Sequence, residues 1–387
     1  MKKFVLNTLP FLTLPLLYVA IGEFYLIKFK ETTTIEEVTD IQLNSDTELY
    51  YGRKILGNSL SNYKLTMYKK RQNKVITLGQ SVTLQFRNFM FEPYQDNFYN
   101  TGLMIRNIMD LEFIVSQYET KSIEKPELIL LGTDFSFVLE TSILDKTEFT
   151  RTPPVDRATE SRSHLKGMQS IFLNSRQRKA PATDFGFGIA GMDGRGYRRD
   201  GSYRHKPEIE QYIKTKNYSD GALIDRLNNS VSPFIIPMKF DTSKESRFLK
   251  VLARFETMGI ELLLYFPPYS DTFFDQAKEN NEFMKFWNQY MTFQDFLITK
   301  GYNVIPFTTP SAMGLSDDYM IDAEHPGEVL SGIQLYSFCT NNNLKNKILD
   351  KLTFKTLDSL IQQPNLIPIS FLMDEASLPL KVKITNN

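Results

Sequence analysis

The stretch that most constrains the fold is Lys74–Phe91, in which a short β-branched run is followed by a turn and a serine. The apolar run Val75–Leu78 ends at Gly79, and Ser81 follows two residues later. An apolar pattern with helical spacing begins directly after it. The order therefore predicts a strand, a tight turn, a serine and a helix. A serine in that place lies at the carboxyl end of a strand, beside helix N–H groups that stabilise developing negative charge.

A serine hydroxyl is a weak nucleophile unless a base accepts its proton. The chain has three histidines, and one of them, His325, lies three residues after Asp322. That spacing is about one helical turn, so Asp322 can hold the imidazole while the other ring nitrogen takes the Ser81 proton. Taken singly, Ser81 has the ordinary interpretation of a helix N-cap and Asp322 that of a solvated loop acid. Only the combination indicates a catalytic triad.

Strand and helix patterns alternate around this stretch. The run Glu127–Leu131 is typical of a buried parallel strand, Gly102–Tyr118 has helical spacing, and further strands are predicted at Ile260–Tyr265 and Tyr302–Phe307. This alternation predicts an α/β fold with a doubly wound, mostly parallel sheet in a flavodoxin-like arrangement of three layers. Ser81 and the Asp322/His325 loop then both follow strand ends, where such sheets carry their chemistry.

Residues 150–240 interrupt the alternation and are predicted to form a long insertion. Near its end lies the Gly- and Arg-rich loop Phe185–His205, whose glycines disfavour a regular helix. Its arginines are predicted to clamp an anionic or glycan substrate, or else to form an ordinary solvated basic loop. These arginines are Arg195, Arg198, Arg199 and Arg204. Outside this loop, Tyr63–Tyr68 and Phe234–Met238 are predicted as additional strands.

The N-terminus predicts membrane attachment. Two lysines precede the mostly apolar stretch Phe4–Gly22, which is just long enough to span a bilayer core. Residues 1–30 are therefore predicted to be a transmembrane signal anchor, and residues 31–387 a single domain outside the cytoplasm. A cleaved signal peptide is the alternative, because Ala20–Gly22 resembles a small-x-small cleavage site.

Composition excludes several classes of protein. The formal net charge is +0, so no basic field indicates a nucleic-acid partner. The single Cys339 rules out an internal disulfide and a cysteine metal cluster, and the separated histidines do not indicate zinc. The glycine-rich loop lacks the Gly-Lys-Ser/Thr of a P-loop. We therefore expect no metal and no cofactor.

Four segments resemble, in order, the motif blocks of the SGNH (GDSL-like) hydrolase superfamily. They are Gly79–Ser81 for Gly-Asp-Ser, Asn100–Gly102 for the oxyanion glycine, Gly132–Asp134 for Gly-x-Asn-Asp, and Asp322–His325 for Asp-x-x-His. The resemblance covers about residues 70–140 and 255–345. It implies that Ser81 is the nucleophile, His325 the general base and Asp322 its orienting acid. It also implies an oxyanion hole made by the N–H groups of Ser81 and Gly102 with the Asn100 side chain.

Two positions depart from the family pattern. Gln80 replaces the usual Asp, and Asp134 stands where the family has an oxyanion-donating Asn. A carboxylate cannot donate a hydrogen bond unless it is protonated. Either Asn100 and backbone N–H groups replace the missing donor, or Asp134 has another role.

The predicted anchor and insertion resemble most the envelope acyl-transfer branch, which includes the D-alanyl transfer protein and the exopolysaccharide O-acetylation proteins. This resemblance implies a membrane-anchored, periplasmic serine esterase or O-acyltransferase that acts on an acyl group of a cell-envelope polysaccharide or glycopolymer. The implied partners are an acylated glycan or acyl donor and a polytopic membrane-bound O-acyltransferase. The alternative is a non-catalytic adaptor with the same fold. A lipase is less expected, since the Gly-x-Ser-x-Gly elbow is missing.

Overall fold

The computed structural model describes residues 2–53, 60–140, 165–169, 172–173, 185–216, 223–342, 344, 348–363 and 366–371. It divides into two compact units. The first consists of Met1–Ser59 and Thr152–Arg199, and the second of Leu60–Arg151 and Asp200–Asn387. Much of the predicted insertion at 150–240 lies outside the described residues. His164 lies there too.

The first unit contains a small amount of regular structure. Its helices are Lys2–Lys28, Ile35–Asn44 and Gly188–Met192, and its short strands are Tyr50–Tyr51, Gly186–Phe187 and Gly196–Tyr197. The first strand pairs in parallel with the second and antiparallel with the third. Within the described residues, none of the helices combines the length and apolar character needed to cross a membrane. The structure thus does not support the predicted transmembrane anchor.

A sheet of five parallel strands forms the centre of the second unit. Its strands are β1 Val75–Leu78, β2 Phe98–Asn100, β3 Leu128–Gly132, β4 Glu261–Tyr265 and β5 Asn303–Ile305. Their order across the sheet is β2-β1-β3-β4-β5, and every neighbouring pair runs in parallel. The prediction of an α/β fold with a parallel sheet is confirmed.

Side chains on both faces of this sheet are buried. All residues of β1 and β3 are inaccessible to solvent, and successive side chains of a strand point to opposite faces. On one face, Leu130 and Leu263 belong to a core cluster that includes Val329 of helix Glu328–Asn341. This packing fixes the strand ends, and hence the loops that leave them.

The helices of the second unit mostly match the predicted pattern. They are Leu60–Arg71, Ile108–Glu119, Lys206–Thr215, Leu223–Asn228, Thr242–Thr257, Asp271–Ala277, Asn281–Thr299, Glu328–Asn341 and Lys355–Ile361. Side-chain N-caps begin several of them, for example Asn107, Asp241 and Asn280, each of which accepts two backbone N–H groups. Two ion pairs join neighbouring helices, Arg247 to Glu112 and Arg254 to Glu119, both at 2.6 Å.

Three local predictions are wrong. Residues 63–68 lie in the helix Leu60–Arg71, where Tyr63, Met67 and Tyr68 belong to its buried face. Residues 234–238 form no strand. Ser81 begins a 3-10 turn, Ser81–Thr83, instead of an α-helix. In the segment that follows this turn, the Asn100 amide donates to the carbonyls of Thr83 at 2.7 Å and Phe86 at 2.9 Å.

Candidate active site

The polar residues singled out in the sequence follow four of the five strands at their carboxyl ends. Ser81 comes after β1, Gly102 after β2, Asp134 after β3, and the loop with His325 after β5. Because the strands are parallel, these ends meet at one edge of the sheet. The fold therefore gathers residues that are far apart in sequence.

The structure brings the Ser81, His325 and Asp322 side chains into one hydrogen-bonded chain. Ser81 Oγ lies 2.7 Å from His325 Nε2, although 244 positions separate the two residues. On the other side of the ring, His325 Nδ1 lies 2.8 and 2.9 Å from the two oxygens of Asp322. All three contacts are within hydrogen-bond distance.

These contacts fix the direction of each hydrogen bond in the neutral form of the histidine. A carboxylate only accepts, so Nδ1 carries the proton and donates to Asp322. Nε2 is then the acceptor, and the Ser81 hydroxyl donates to it. This is the arrangement in which an imidazole removes the proton of a serine nucleophile.

Backbone hydrogen bonds hold the histidine loop in place. Asp322 Oδ1 also accepts the N–H groups of Glu324 and His325, at 3.0 and 2.9 Å. The N–H of Ile321 donates to the His325 carbonyl at 2.8 Å, and the N–H of Ser270 donates to Ala323 at 3.0 Å. The loop is thus tied both to itself and to the segment that follows β4.

A buried ion network joins the serine segment to the histidine segment. Arg87, six residues after Ser81, lies 3.3 Å from Glu328, three residues after His325, and 3.3 Å from Asp200. The other oxygen of Glu328 accepts hydrogen bonds from Ser370 Oγ at 3.1 Å and from the Phe371 N–H at 3.2 Å. The three charged residues are at most 8% exposed. A buried pair with such partners is directional, and breaking it leaves an uncompensated charge.

Glycines at the strand ends allow a close approach beneath Ser81. The fully buried Thr83 side chain lies against Gly79, Gly102 and Gly132. A Cβ at Gly79 would come within 2.9 Å of the Thr83 methyl group, one at Gly102 within 2.8 Å of its hydroxyl, and one at Gly132 would also clash with the methyl. The motif glycines are therefore required by packing, independently of any catalytic use.

The electrostatic environment favours a protonated histidine. Burial opposes the charged form of His325, but the hydrogen bond and charge of Asp322, together with the charges of Glu324 and Asp134, raise the pKa of His325 to about 9. Burial likewise opposes ionisation of Asp322, yet its contact with His325 lowers the pKa of that carboxyl. The site therefore has more acidic groups than one imidazole can balance.

Asp134 is buried beside this cluster and tied to the serine segment. Its Oδ1 accepts the Ser136 N–H at 2.9 Å and lies 3.5 Å from Gln80 Nε2. Gln80 also donates to Ser136 Oγ and to the Arg106 carbonyl. Burial raises the pKa of Asp134. The side chain is positioned by its own turn, and its second oxygen has no hydrogen-bond partner among the described residues.

Two of the predicted oxyanion donors already donate hydrogen bonds to other groups within the protein. Asn100 donates both amide hydrogens to the Thr83 and Phe86 carbonyls, so the structure does not support its predicted role as a donor to the oxyanion. The Gly102 N–H donates to Asn100 Oδ1 at 2.8 Å. Of the predicted donors, the Ser81 N–H alone makes no hydrogen bond within the part of the chain that the structure describes.

The arginines of the predicted clamp are buried or half-buried. Arg195, Arg198 and Arg199 belong to the first unit and Arg204 to the second. None of the four is exposed, and Arg198 and Arg204 are 1% and 3% accessible. Arg199 donates to Ser45 O at 2.8 Å, and its N–H donates to Glu48 at 2.7 Å. The burial of Arg198 and Arg204 does not fit the alternative of a solvated basic loop, and the clamp stays a prediction.

Three residues near the site were not found from the sequence. Glu324 acts electrostatically on His325, Arg87 anchors Glu328, and Tyr269 follows β4 with a buried hydroxyl. Proximity to the Asp-x-x-His motif could have drawn attention to Glu324. A single arginine or tyrosine carries no such signal.

Comparison of the chain with family models, curated proteins and solved structures found no match.

Proposed function

We propose that this protein is a serine esterase or O-acyltransferase that uses Ser81, His325 and Asp322 as a catalytic triad. The observation that carries the proposal is the continuous contact from Ser81 Oγ through the imidazole to Asp322, at 2.7 and 2.8 Å. The β2-β1-β3-β4-β5 strand order adds support, because it is that of flavodoxin-like doubly wound sheets with a crevice at the carboxyl ends.

In the proposed reaction, Ser81 attacks the carbonyl carbon of an acyl ester while His325 takes the serine proton. His325 then gives the proton to the leaving alcohol, and an acyl-serine remains. Water or an acceptor hydroxyl next attacks this acyl-enzyme, with His325 again as the base. Water gives hydrolysis and a hydroxyl gives transfer, so the same triad serves both reactions.

The substrate class follows from the resemblance to SGNH enzymes of the envelope acyl-transfer branch. On that basis the acyl group belongs to a cell-envelope polysaccharide or glycopolymer, and the protein acts outside the cytoplasm. A membrane attachment through the N-terminus and a membrane-bound O-acyltransferase partner belong to the same proposal. The apolar sequence Phe4–Gly22 supports the attachment.

A fluorophosphonate probe tests the nucleophile directly. We expect the whole 387-residue chain to be labelled, and Ser81→Ala to lose labelling completely. Ser136→Ala is the matched control, because Ser136 lies beside Asp134 but does not contact His325. Full labelling of the Ser81→Ala protein would show that another residue reacts and that the proposal is wrong.

The second candidate is a non-catalytic adaptor that keeps the fold. The commitment of Asn100 and Gly102 within the protein, and the acid at position 134, favour it. Hydrolysis of p-nitrophenyl acetate distinguishes the two candidates. An enzyme gives turnover that requires Ser81, whereas an adaptor gives the same background rate with and without that hydroxyl.

A further inference from the structure

The hydroxyl of Tyr269 is a buried polar group without a partner. The residue lies four positions after β4, and its side chain is 2% exposed. Its oxygen makes no hydrogen bond with any residue that the structure describes. Burying a hydroxyl unpaired is unfavourable, so such a group calls for an explanation, and a catalytic role is one of those known.

Packing on both sides fixes this phenol beside the histidine loop. Its ring lies against Phe273, Trp287 and Phe307, with centroid distances of 5.3, 5.6 and 6.3 Å. The next residue, Ser270, donates its N–H to Ala323, which stands between Asp322 and Glu324 in the sequence. The hydroxyl therefore has little freedom to move to another partner.

Two carboxyl groups act electrostatically on both Tyr269 and His325. Burial raises the pKa of Tyr269 well above its ordinary value, and the charges of Asp134 and Glu324 raise it further. These two carboxyl groups also act on His325. The phenol therefore keeps its proton at neutral pH and is a hydrogen-bond donor.

We propose that Tyr269 is a catalytic residue whose hydroxyl donates a hydrogen bond to the carbonyl oxygen of the acyl group under attack by Ser81. This inference rests on the proposed function. The Tyr269 hydroxyl would supply a hydrogen-bond donor that the oxyanion needs, since Asn100 and the Gly102 N–H already donate to other groups. A donor in a dry environment that is fixed before the reaction stabilises developing charge most effectively.

The step is balanced without any further reactant. The bond from Ser81 Oγ to the carbonyl carbon forms, the π electron pair moves onto the carbonyl oxygen, and the serine proton goes to His325 Nε2. When the tetrahedral intermediate collapses, the bond to the leaving oxygen breaks and that oxygen takes the proton from His325. Tyr269 keeps its own proton and only stabilises the negative oxygen.

Tyr269→Phe in the whole chain removes the hydroxyl and leaves the ring. We expect kcat for p-nitrophenyl acetate to fall by about 10²-fold, with KM nearly unchanged and the thermal midpoint not lowered, since no hydrogen bond within the protein is lost. Tyr290→Phe is the matched control, because its hydroxyl donates to the Thr133 carbonyl. That variant should lose stability and keep the kcat of the folded protein.

Unchanged kcat in Tyr269→Phe overturns the inference, whether or not its stability changes. The rate of fluorophosphonate labelling provides a second measurement, because attack on phosphorus also builds negative charge on an oxygen. If Ser81→Ala abolishes labelling and Tyr269→Phe labels at the full rate, only the role of Tyr269 is wrong. If labelling does not depend on Ser81, the proposed function fails and the inference fails with it.

Discussion

The two sides of the candidate site are prepared to different degrees. On the proton-transfer side, Ser81, His325 and Asp322 already have the contacts that a general base requires. On the side where the oxyanion would form, Asn100 and the Gly102 N–H donate to other atoms within the protein. The contacts for proton transfer are therefore in place, whereas two of the predicted oxyanion donors are used in hydrogen bonds within the protein.

This difference shows that a triad and an oxyanion hole are separate structural problems. The triad depends on the relative position of two loops, and buried ion pairs and backbone hydrogen bonds hold these loops in place. The oxyanion hole depends on donors that the fold leaves unused, and Asn100 already donates to two carbonyls of the segment after Ser81. The proposed catalysis therefore requires donors that a motif comparison does not identify.

The largest effect should come from breaking the proton-transfer side. Asp322→Asn removes the charge that orients the imidazole and favours the wrong tautomer, so we expect kcat/KM for p-nitrophenyl acetate to fall by about 10⁴-fold. Glu324→Gln is the matched control, because that acid acts on His325 only through its charge. Equal losses in the two variants would mean that Asp322 does not orient the base.

A second change should affect the stability of the protein and not its catalytic rate. Arg87→Met leaves the buried Asp200 and Glu328 carboxylates without their shared cation, so the free energy of unfolding should fall by about 3–5 kcal/mol. Glu328→Gln should cost less, since Arg87 then keeps Asp200. Urea unfolding followed by the fluorescence of Trp287, the single tryptophan, measures both. If the two variants are equally stable, the network does not join the two segments as the distances indicate.

Some parts of the fold and of this site could be predicted from the sequence, and others could not. Strand Val75–Leu78, the glycine after it and the Asp-x-x-His spacing were enough to predict a parallel α/β sheet and a meeting of Ser81 with His325. The hydrogen bonds of Asn100 could not be predicted, because their acceptors are the backbone carbonyls of Thr83 and Phe86. Every residue has such a carbonyl, so the sequence does not mark these two. Helix Leu60–Arg71 was mistaken for a strand for a similar reason. Tyr63 and Leu65 alternate as in a strand, whereas the buried Tyr63 and Met67 have helical spacing, and only tertiary packing decides between the two periods.

A smaller effect should follow from the excess of acid around the base. Since the pKa of His325 is about 9, its neutral form is scarce at pH 7, and kcat/KM should rise about tenfold per pH unit and level off near pH 9. Asp134→Asn removes one negative charge that favours the protonated ring. The midpoint of the profile should therefore move to lower pH, and activity at pH 7 should rise.

Asp134→Ala separates the loss of charge from the gain of a donor. It removes the same carboxylate as Asp134→Asn but supplies no N–H group. If the asparagine variant is the more active of the two at the pH where each profile levels off, the added amide stabilises the oxyanion. A loss of activity at all pH values in both variants would instead show that the carboxyl group of Asp134 takes part in the reaction.

The smallest effect on activity should come from Asn100, the side chain that the sequence predicted as an additional oxyanion donor. Asn100→Ala removes two hydrogen bonds to backbone carbonyls and leaves the Gly102 N–H without its acceptor, so the free energy of unfolding should fall by about 2–3 kcal/mol. The kcat/KM of the protein that remains folded should change less than about threefold, because the amide already donates to two backbone carbonyls. Active-site titration with the fluorophosphonate corrects the rate for the unfolded fraction. A loss of 10²-fold or more in the corrected rate, of the size that follows removal of an oxyanion donor, would mean that Asn100 turns toward the substrate during the reaction and that the two sides of the site are less different than their resting contacts indicate.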